Sequence, residues 1–320
     1  MSRVGHTSTK LFADLEVDAH PDHPLGPDTW YGVGGRADML VSPRSEEALC
    51  TLVRRCHEQE IPTRVFGNGA NLLVADEGVD GLVIRLDHPR FREVDYDLDG
   101  SGEAMRAMSG ADMGRTMNEA VRRGLSGLQQ MAGIPASIGG AIRMNAGGAF
   151  GSIGDSLHSV ACVDGRGELV IHPADRVEMG YRETDLPDDI ILWAAFNLTQ
   201  DDPRALQEQL LEVFQYKKTT QPLKESSAGC VFKNPLDRES GRRTSAGAMI
   251  DQAGLKGLRV GSASVSTIHG NFLVVDQGGT AGDLIRLMDQ VRDRVAAERG
   301  VHLQREVVVW SRSRRSSTDG

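Results

Sequence analysis

The sequence predicts an α+β fold, because strand-like and helix-like segments are mixed without the regular strand–helix alternation of a doubly wound sheet. β-Branched runs such as TRVFG (63–67) and GLVIRL (81–86) are separated by glycine turns rather than by helices. Amphipathic helical patterns stand elsewhere in the chain, and the clearest of them begins at Pro203. The chain of 320 residues is long enough for two or three domains.

Composition narrows the classes of function. The formal net charge of −9 gives no support to nucleic-acid binding, which depends on a basic surface. No signal peptide and no bilayer-spanning segment is visible, so the sequence predicts a cytoplasmic protein without membrane insertion. The cysteines form no C-x-x-C pair and show no zinc spacing, so we expect neither a disulfide framework nor a metal site. The four cysteines are Cys50, Cys56, Cys162 and Cys230.

The elements of the N-terminal half each follow from a local pattern. Residues 1–28 are polar and rich in proline, and they are predicted to form an irregular arm. Apolar residues on one face predict a helix over about 45–60, and NLLVAD (71–76) adds a strand between the two runs named above. A helix predicted near 112–123 ends at Gly124, the usual residue type just past a helix C-terminus.

The C-terminal half begins with a stretch of small residues, after which strands are predicted near 158–172 and 189–198. A helix follows from Pro203, with an apolar stripe formed by Leu206, Leu210, Leu211 and Phe214.

The last predicted helix spans 280–298, with Thr280 as its N-cap and Gly300 as its stop. A final strand is predicted over 301–310, and residues 312–320 are predicted to be a disordered tail.

Two common nucleotide-binding patterns are excluded by context. GVGGRA (32–37) matches a dinucleotide-binding glycine pattern, but no apolar strand precedes it, and a strand-like run follows where a helix should begin. No G-x-x-x-x-G-K-[ST] loop occurs, so ATP chemistry has no support.

Two glycine-rich segments are better candidates for a ligand site. GNGAN (67–71) lies between two predicted strands, where its backbone N–H groups could form an anion-binding nest, although an ordinary tight turn is the alternative. GIPASIGGAIRMNAGGAFG (133–151) exposes much bare backbone, which suits a ligand site or a tight packing junction equally well. Arg182 in GYRET and Glu306 in the predicted last strand carry no functional claim singly, because surface charges are usually solvated.

Taken in order, seven segments closely resemble one family, UDP-N-acetylenolpyruvoylglucosamine reductase, a flavoenzyme of bacterial peptidoglycan synthesis. The resemblance runs from about residue 29 to residue 310 and matches the short family subtype. The segments are TWYGVGGRAD (29–38), GNGANLLVAD (67–76), GLSGLQQMAGIPASIGGAIRMNAGG (124–148), GYRET (180–184), QPLKESSAGCVFKNP (221–235), AGAMIDQAGLKGLRVGSASVSTIHGNFLVV (246–275) and QREVVVW (304–310).

The resemblance implies an FAD-binding fold of the vanillyl-alcohol-oxidase/p-cresol-methylhydroxylase type, built from two α+β subdomains, and a C-terminal α+β substrate domain. The expected ranges are an arm at 1–28, FAD-binding subdomains at 29–95 and 96–216, a substrate domain at 217–311 and a tail at 312–320. It implies non-covalent FAD, reduction by NADPH, and hydride transfer to C3 of UDP-N-acetylglucosamine enolpyruvate with a proton added at C2. A monomer is expected.

The resemblance also assigns residues to the cofactor. The two glycine-rich segments become the expected flavin contacts. For the second segment, the resemblance favours a ligand site over a tight packing junction. The expected cofactor-binding residues are Gly67, Asn68, Gly69, Ala70, Asn71, Leu72, Gly133, Ile134, Pro135, Ser137, Gly139, Gly140, Asn145, Ala146 and Gly147. Ala70 stands where the family commonly has serine, and Ala136 stands where it often has glycine.

Three catalytic residues are implied. Arg182 matches the family's arginine, and a guanidinium can hold a carboxylate through two N–H bonds while negative charge develops. Glu306 matches its glutamate, which must be protonated or share a proton in order to help an anion. Cys230 occupies the position where the family usually has a proton-donating serine, and a thiol with a reference pKa of about 8.5 is a stronger acid than an alcohol. The alternative is that Cys230 packs and another group supplies the proton.

The nucleotide-sugar is expected to contact a further set of polar side chains, in which the two adjacent lysines cannot be separated by sequence. The set is Tyr181, Lys217, Lys218, Gln221, Lys233, Asn234 and Lys256. Two other functions stay open: an FAD-dependent oxidase of an alcohol or phenol on the same fold, and a flavin- or nucleotide-sugar-binding protein without catalysis.

Overall fold

A computed structural model describes residues 11–186, 189–237 and 240–313. The chain forms two compact units, each drawn from separate stretches. Unit 1 is drawn from Met1–His20, Met39–Asn68 and Gly81–Thr219, and unit 2 from Pro21–Asp38, Gly69–Asp80 and Thr220–Gly320. The expected division of residues 29–216 into two flavin subdomains stays a prediction.

The helices have the sequence features that start and stop helices. Most begin at a Ser, Thr or Asp whose side chain accepts a hydrogen bond from the first turn. The α-helices are α1 (Glu46–Glu58), α2 (Met113–Arg122), α3 (Ile138–Arg143), α4 (Pro203–Thr220), α5 (Ala246–Gln252) and α6 (Ala281–Arg299).

The strands are short, and many have only two or three residues. They are β1 (Val17–Pro24), β2 (Arg36–Pro43), β3 (Thr63–Phe66), β4 (Leu72–Val74), β5 (Val79–Arg85), β6 (Val94–Asp95), β7 (Ala104–Met108), β8 (Leu125–Ser126), β9 (Gly147–Gly148), β10 (Gly151–Ser152), β11 (Leu157–Val163), β12 (Leu169–Pro173), β13 (Met179–Gly180), β14 (Glu183–Thr184), β15 (Ile190–Asn197), β16 (Thr199–Gln200), β17 (Arg259–Val260), β18 (Ala263–Val265), β19 (Leu273–Val275) and β20 (Val308–Trp310).

The sheets mix parallel and antiparallel pairing, which confirms the α+β prediction. A four-stranded sheet has the order β1-β2-β5-β3, with β3 and β5 parallel. A five-stranded antiparallel sheet has the order β12-β11-β15-β7-β6. Strands β17, β18 and β19 form an antiparallel sheet, and β20 pairs in parallel with β4.

Each unit has its own buried apolar residues. Among its described residues, unit 1 contains two clusters, one formed around α1 and the β2 and β5 strands, and one formed between the five-stranded sheet and α2, α3 and α4. The described part of unit 2 contains one cluster, in which one face of α6 packs with residues of β4, β18 and β19.

The predicted N-terminal arm differs from the structure. Val17–Pro24 forms a strand at the edge of the four-stranded sheet, and Leu11 is buried. An edge strand tolerates proline because one side of its backbone needs no partner, which explains why the prolines were misleading. Residues 1–10 lie outside the described residues.

The C-terminal predictions also need correction. Only Val308–Trp310 is a strand, so Glu306 precedes it instead of lying on its face. Arg312 and Ser313, placed in the disordered tail, are ordered: Arg312 donates to Asp38 at 2.7 Å, and the Ser313 hydroxyl donates to Asp80 at 2.8 Å. The rest of that tail, 314–320, lies outside the described residues.

The apolar stripe of α4 was predicted in part. Leu206 and Leu210 are buried as expected, but Leu211 and Phe214 are 53% and 42% exposed. Val213 and Lys217 complete the buried face instead.

Candidate active site

The two segments expected to bind flavin meet within unit 1. The GNGAN loop connects β3 to β4, and its first residue, Gly67, lies against Ser137 of the second segment. A Cβ atom on Gly67 would lie 2.7 Å from the Ser137 Oγ, so a larger residue would displace this hydroxyl from its N-cap hydrogen bond. The glycine therefore serves close contact between two loops, which goes beyond the needs of a tight turn.

A third loop, which sequence reasoning missed, joins this meeting point. The Gly139 N–H donates to the Ser109 carbonyl at 2.8 Å, and the Ile138 N–H donates to the Ala111 carbonyl at 2.9 Å. The Ser109 hydroxyl is buried and has no hydrogen-bond partner among the described residues. An unsatisfied buried hydroxyl of this kind is expected where a ligand completes the hydrogen bonding.

A cavity of about 800 Å³ opens beside these loops in unit 1. Asn68 of the GNGAN loop and the N-terminal turn of α2 line it, together with guanidinium groups suited to phosphate. Its lining includes Asn68, Arg92, Tyr96, Gly110, Asp112, Arg115, Glu119 and Arg122, and the Arg122 guanidinium forms an ion pair with Glu119 at 3.0 Å. The signal that could have revealed it is the run SGAD (109–112), small residues directly before the Asp112 N-cap.

These features fit FAD. The close-packed glycines leave backbone accessible, the Ser109 hydroxyl needs a partner, and the cavity offers arginines for a pyrophosphate. Asn68, Ser109 and the loop around Ser137 are the residues of unit 1 that would hold it.

Asn145 and Asn71, both expected to bind the cofactor, use their side chains within the protein. The Asn145 Nδ2 donates to the Gly180 carbonyl at 2.9 Å, and its Oδ1 accepts from the Gly154 N–H at 3.2 Å. The Asn71 Nδ2 donates to the Glu306 carbonyl at 3.2 Å. Each amide thus fixes a segment next to a predicted catalytic residue.

Arg182 lies at the tip of a two-residue hairpin between β13 and β14. Its φ is 62°, a left-handed conformation that a non-glycine residue adopts only when the surrounding structure enforces it. Its guanidinium lies 5.4 Å from the centre of the Tyr181 ring, a cation–π contact. Since Asn145 bonds the Gly180 carbonyl, it helps to hold this hairpin in place.

The two adjacent lysines at the end of α4 differ in their burial. Lys217 is buried, and its Nζ donates to the Ala132 carbonyl at 2.6 Å, whereas Lys218 is exposed. Burial, together with the charge of Arg182, lowers the pKa of Lys217 to about 8. Lys217 is therefore the candidate for the site, and it lies beside Gly133 of the glycine-rich segment.

Cys230 and Glu306 lie on adjacent extended segments of unit 2. The Glu306 N–H donates to the Val231 carbonyl at 2.7 Å, and Phe232 pairs with Arg305. Both side chains are partly exposed. Two groups that could share in a proton transfer are thus carried by neighbouring backbones.

The other expected substrate residues of unit 2 are partly exposed. The Lys256 Nζ forms an ion pair with Asp251 at 2.8 Å, and the Asn234 Oδ1 accepts from the Ala246 N–H at 2.9 Å. Lys233 has its backbone N–H bonded to the Gln304 carbonyl, and Gln221 directly follows α4. The side chains of Lys256 and Asn234 are therefore bonded within the protein, and the contact of this set with a substrate stays a prediction.

The described part of the chain offers neither a metal-binding cluster nor a membrane-spanning helix. Across residues 11–186, 189–237 and 240–313, no three His, Cys, Asp or Glu side chains are grouped to hold a metal ion. Within the same ranges, no helix has the length and apolar character needed to cross a membrane. None of the four cysteines, all of which lie within the described ranges, is in a disulfide bond.

Comparison with known proteins gives a consistent result. Residues 37–172 match the family model of an FAD binding domain, and residues 221–310 match that of the UDP-N-acetylenolpyruvoylglucosamine reductase C-terminal domain. The enzyme of that name from Syntrophobacter fumaroxidans is 38% identical over 306 residues, covering 95% of this chain and 86% of the relative. The one from Heliobacterium modesticaldum is 37% identical over 303 residues, covering 94% and 93%.

A solved structure agrees with these relatives. The crystal structure of UDP-N-acetylenolpyruvylglucosamine reductase from Thermus caldophilus has a TM-score of 0.77 and 36% identity, covering 93% of this chain and 100% of the other. The expected fold, an FAD-binding fold followed by a C-terminal α+β domain, is confirmed.

An FAD-binding domain joined to this C-terminal domain defines a flavin-dependent oxidoreductase. The chain belongs to the UDP-N-acetylenolpyruvoylglucosamine reductase family, because it shares more than a third of its residues with these relatives over nearly its whole length.

Proposed function

We propose that this protein reduces UDP-N-acetylglucosamine enolpyruvate to UDP-N-acetylmuramate with NADPH as the reductant, in bacterial peptidoglycan synthesis. The observation that carries the proposal is the identity of 38% over 95% of the chain with a reductase of this name. Arg182 and Glu306 match the family's catalytic residues, and the third position holds a plausible acid, Cys230.

Non-covalently bound FAD would supply the hydride that adds to C3 of the enolpyruvyl group. The hydride brings two electrons, so the C2–C3 double bond becomes a single bond and negative charge develops at C2 and on the adjacent carboxylate. The protein must hold that carboxylate, stabilise the charge and deliver one proton to C2.

Arg182 suits the carboxylate because its guanidinium is always charged and offers two parallel N–H donors. Its left-handed backbone, the hydrogen bond of Asn145 to Gly180 and the contact with Tyr181 limit the positions it can adopt. A preorganised charge of this kind stabilises an anion without having to reorganise during the reaction.

Cys230 suits the proton delivery. Its S–H bond would break as a C–H bond forms at C2, and the resulting thiolate would regain a proton from solvent, so atoms and charge balance. Glu306, on the adjacent segment, would share a proton with the developing enolate. Lys217 would meet a phosphate group of the nucleotide with its ammonium group.

We place the protein in the cytoplasm as a monomer. Four cysteines without a disulfide bond are consistent with a reducing compartment. Size-exclusion chromatography with light scattering would test the oligomeric state.

The decisive experiment is an anaerobic absorption spectrum of the flavin-loaded protein during two additions. NADPH should bleach the flavin bands, and UDP-N-acetylglucosamine enolpyruvate should then restore them. Bands that return only when oxygen is admitted would support the oxidase alternative. A protein that holds flavin but whose flavin bands are not bleached by a reductant would support the alternative of a binding protein. A protein that never holds flavin would contradict the proposal.

A further inference from the structure

Asn271 is a buried asparagine to which the mechanism so far gives no role. Its side chain is enclosed in unit 2, with only 2% of the residue exposed. The Nδ2 donates to the Phe232 carbonyl at 2.8 Å, and the Oδ1 accepts from the Phe232 N–H at 2.9 Å. One side chain thus satisfies both backbone groups of a residue that lies two positions after Cys230.

The segment that carries Cys230 is held from both sides. On one side, the Val231 N–H donates to the Asn271 carbonyl at 2.9 Å, and Cys230 pairs with Phe272. On the other side, the Val231 carbonyl accepts from the Glu306 N–H at 2.7 Å. The amide of Asn271 therefore extends the pairing on the side opposite Glu306.

The chemistry of this contact is specific to asparagine. An amide offers one donor and one acceptor in the same plane, as a peptide group does, so it can stand in for a paired strand residue. Aspartate keeps the size but loses the donor, and its charge would face the Phe232 carbonyl. Because a slip by one residue turns side chains to the opposite face, pairing of this kind fixes where Cys230 points.

We propose that Asn271 is a positioning residue that fixes the register of the segment bearing Cys230 and so directs the thiol towards C2 of the substrate. The proposal rests on the proposed function for its catalytic half. The structural claim, that the Asn271 amide controls the orientation of the Cys230 thiol, depends only on the contacts of Asn271 with Phe232.

The test compares Asn271→Asp and Asn271→Ala with the unmodified protein in stopped-flow experiments. Bleaching by NADPH should stay within about twofold, whereas the return of absorbance with the enolpyruvyl sugar should slow by about tenfold or more, which corresponds to about 1.4 kcal/mol of lost transition-state stabilisation. The solvent deuterium isotope effect on that second phase should rise, because proton delivery becomes more limiting.

Thr280→Ala serves as the matched control. Thr280 caps α6 in the same unit by accepting from the Asp283 N–H at 3.1 Å, and it makes no contact with the Cys230 segment among the hydrogen bonds described. This variant should lower stability without changing the ratio of the two half-reactions. Equal slowing of both half-reactions in the Asn271 variants, or an equal change in Thr280→Ala, would overturn the positioning role.

A measurement without turnover separates this inference from the proposed function. Iodoacetamide alkylation of Cys230 is followed by peptide mass spectrometry in the protein as purified, without NADPH or substrate. We expect about a fivefold or greater increase in rate for both Asn271 variants. Asn271→Ala removes both hydrogen bonds to Phe232 and Asn271→Asp removes the one to its carbonyl, so the segment opens more often. An unchanged rate would overturn the inference, even if the reductase activity is confirmed. A changed rate in a protein that shows no reductase activity would instead contradict only the proposed function.

Discussion

Burial gives Lys217 a lowered pKa that its residue type alone does not predict. Its stem is buried on the inner face of α4, and its ammonium group donates to the Ala132 carbonyl. Sequence analysis could not choose between Lys217 and Lys218, because a lysine counts as polar in any amphipathic pattern. The choice depends on the loop around Ala132, which lies 85 residues earlier in the chain.

The lowered pKa of Lys217 gives a prediction of pH dependence. With a pKa of about 8, the ammonium group is charged at pH 7 and loses its proton as the pH rises through 8. The KM for the nucleotide-sugar should therefore rise above pH 8 by about tenfold per pH unit, if a single proton is needed for binding. Steady-state kinetics between pH 6.5 and 9.5 measure this.

Two variants control for other titrating groups. Lys217→Gln should bind weakly at all pH values and lose the rise in KM above pH 8. Lys218→Gln, at the exposed neighbour, should keep it. A Lys217→Gln profile that parallels that of the unmodified protein would show that another group titrates.

The Cys230 thiol gives a second prediction at this scale. Cys230→Ser should remain active, because serine is the usual donor at this position in the resembling family. Cys230→Ala should be reduced by NADPH normally but should restore its flavin absorbance about 100-fold or more slowly, since general acid catalysis contributes about 10²–10⁴-fold. Stopped-flow absorbance of both variants measures this, and full activity of the alanine variant would remove Cys230 from the chemistry.

Among the elements, α6 begins with an unusually complete set of hydrogen bonds. Besides the Thr280 cap, the Asp76 carboxylate accepts from the Ala281 N–H at 2.9 Å and from the Gly282 N–H at 2.8 Å. Asp76 closely follows β4, so the helix start is bonded to the strand that leaves the GNGAN loop. A carboxylate here also interacts favourably with the helix dipole.

Asp76→Ala should therefore lower the free energy of unfolding by about 1.5–3 kcal/mol, the range for hydrogen bonds to a charged group. Thr280→Ala should cost about 1 kcal/mol, the typical value for an N-cap. Urea denaturation of the flavin-free protein compares them. A loss for Asp76→Ala no larger than that for Thr280→Ala would show that the carboxylate adds nothing beyond the ordinary cap.

Local patterns predicted the elements whose boundaries depend on local chemistry. Ser45, Asp112 and Thr280 were readable as helix starts, because a cap acts through its own first turn. The edge strand Val17–Pro24 was not readable, and the last strand was predicted too long, because pairing with distant residues decides both. The same limit applies to Asn145, whose partners Gly154 and Gly180 lie in other segments of the chain.

For the whole molecule, unit 2 depends on its last strand. β20 pairs with β4, whose residues Leu73 and Val74 are fully buried. A chain that ends at residue 313 keeps every described residue of the last strand and serves as the reference for shorter chains. A chain that ends at residue 307 should lose cooperative unfolding of unit 2, because each orphaned buried backbone group costs about 1–3 kcal/mol against a total of about 5–15.

Circular dichroism during heating measures these truncations. A chain that ends at residue 310 is the matched control, since it keeps β20 and loses only the bonds of Arg312 and Ser313. It should unfold at a slightly lower temperature than the chain ending at residue 313. Equal behaviour of the chains ending at 307 and 310 would contradict the role given to β20.

Unit 2 is formed by three separate stretches of the chain, which has a consequence for its synthesis on the ribosome. Its first two stretches leave the ribosome early, but the last strand follows Thr219, the final residue of unit 1, by roughly ninety residues. At about 5–20 residues per second, translation takes several seconds or more to cover that interval. Throughout it, β4 has been made and lacks its partner, so the nascent chain presents an apolar segment on which a ribosome-associated chaperone could act.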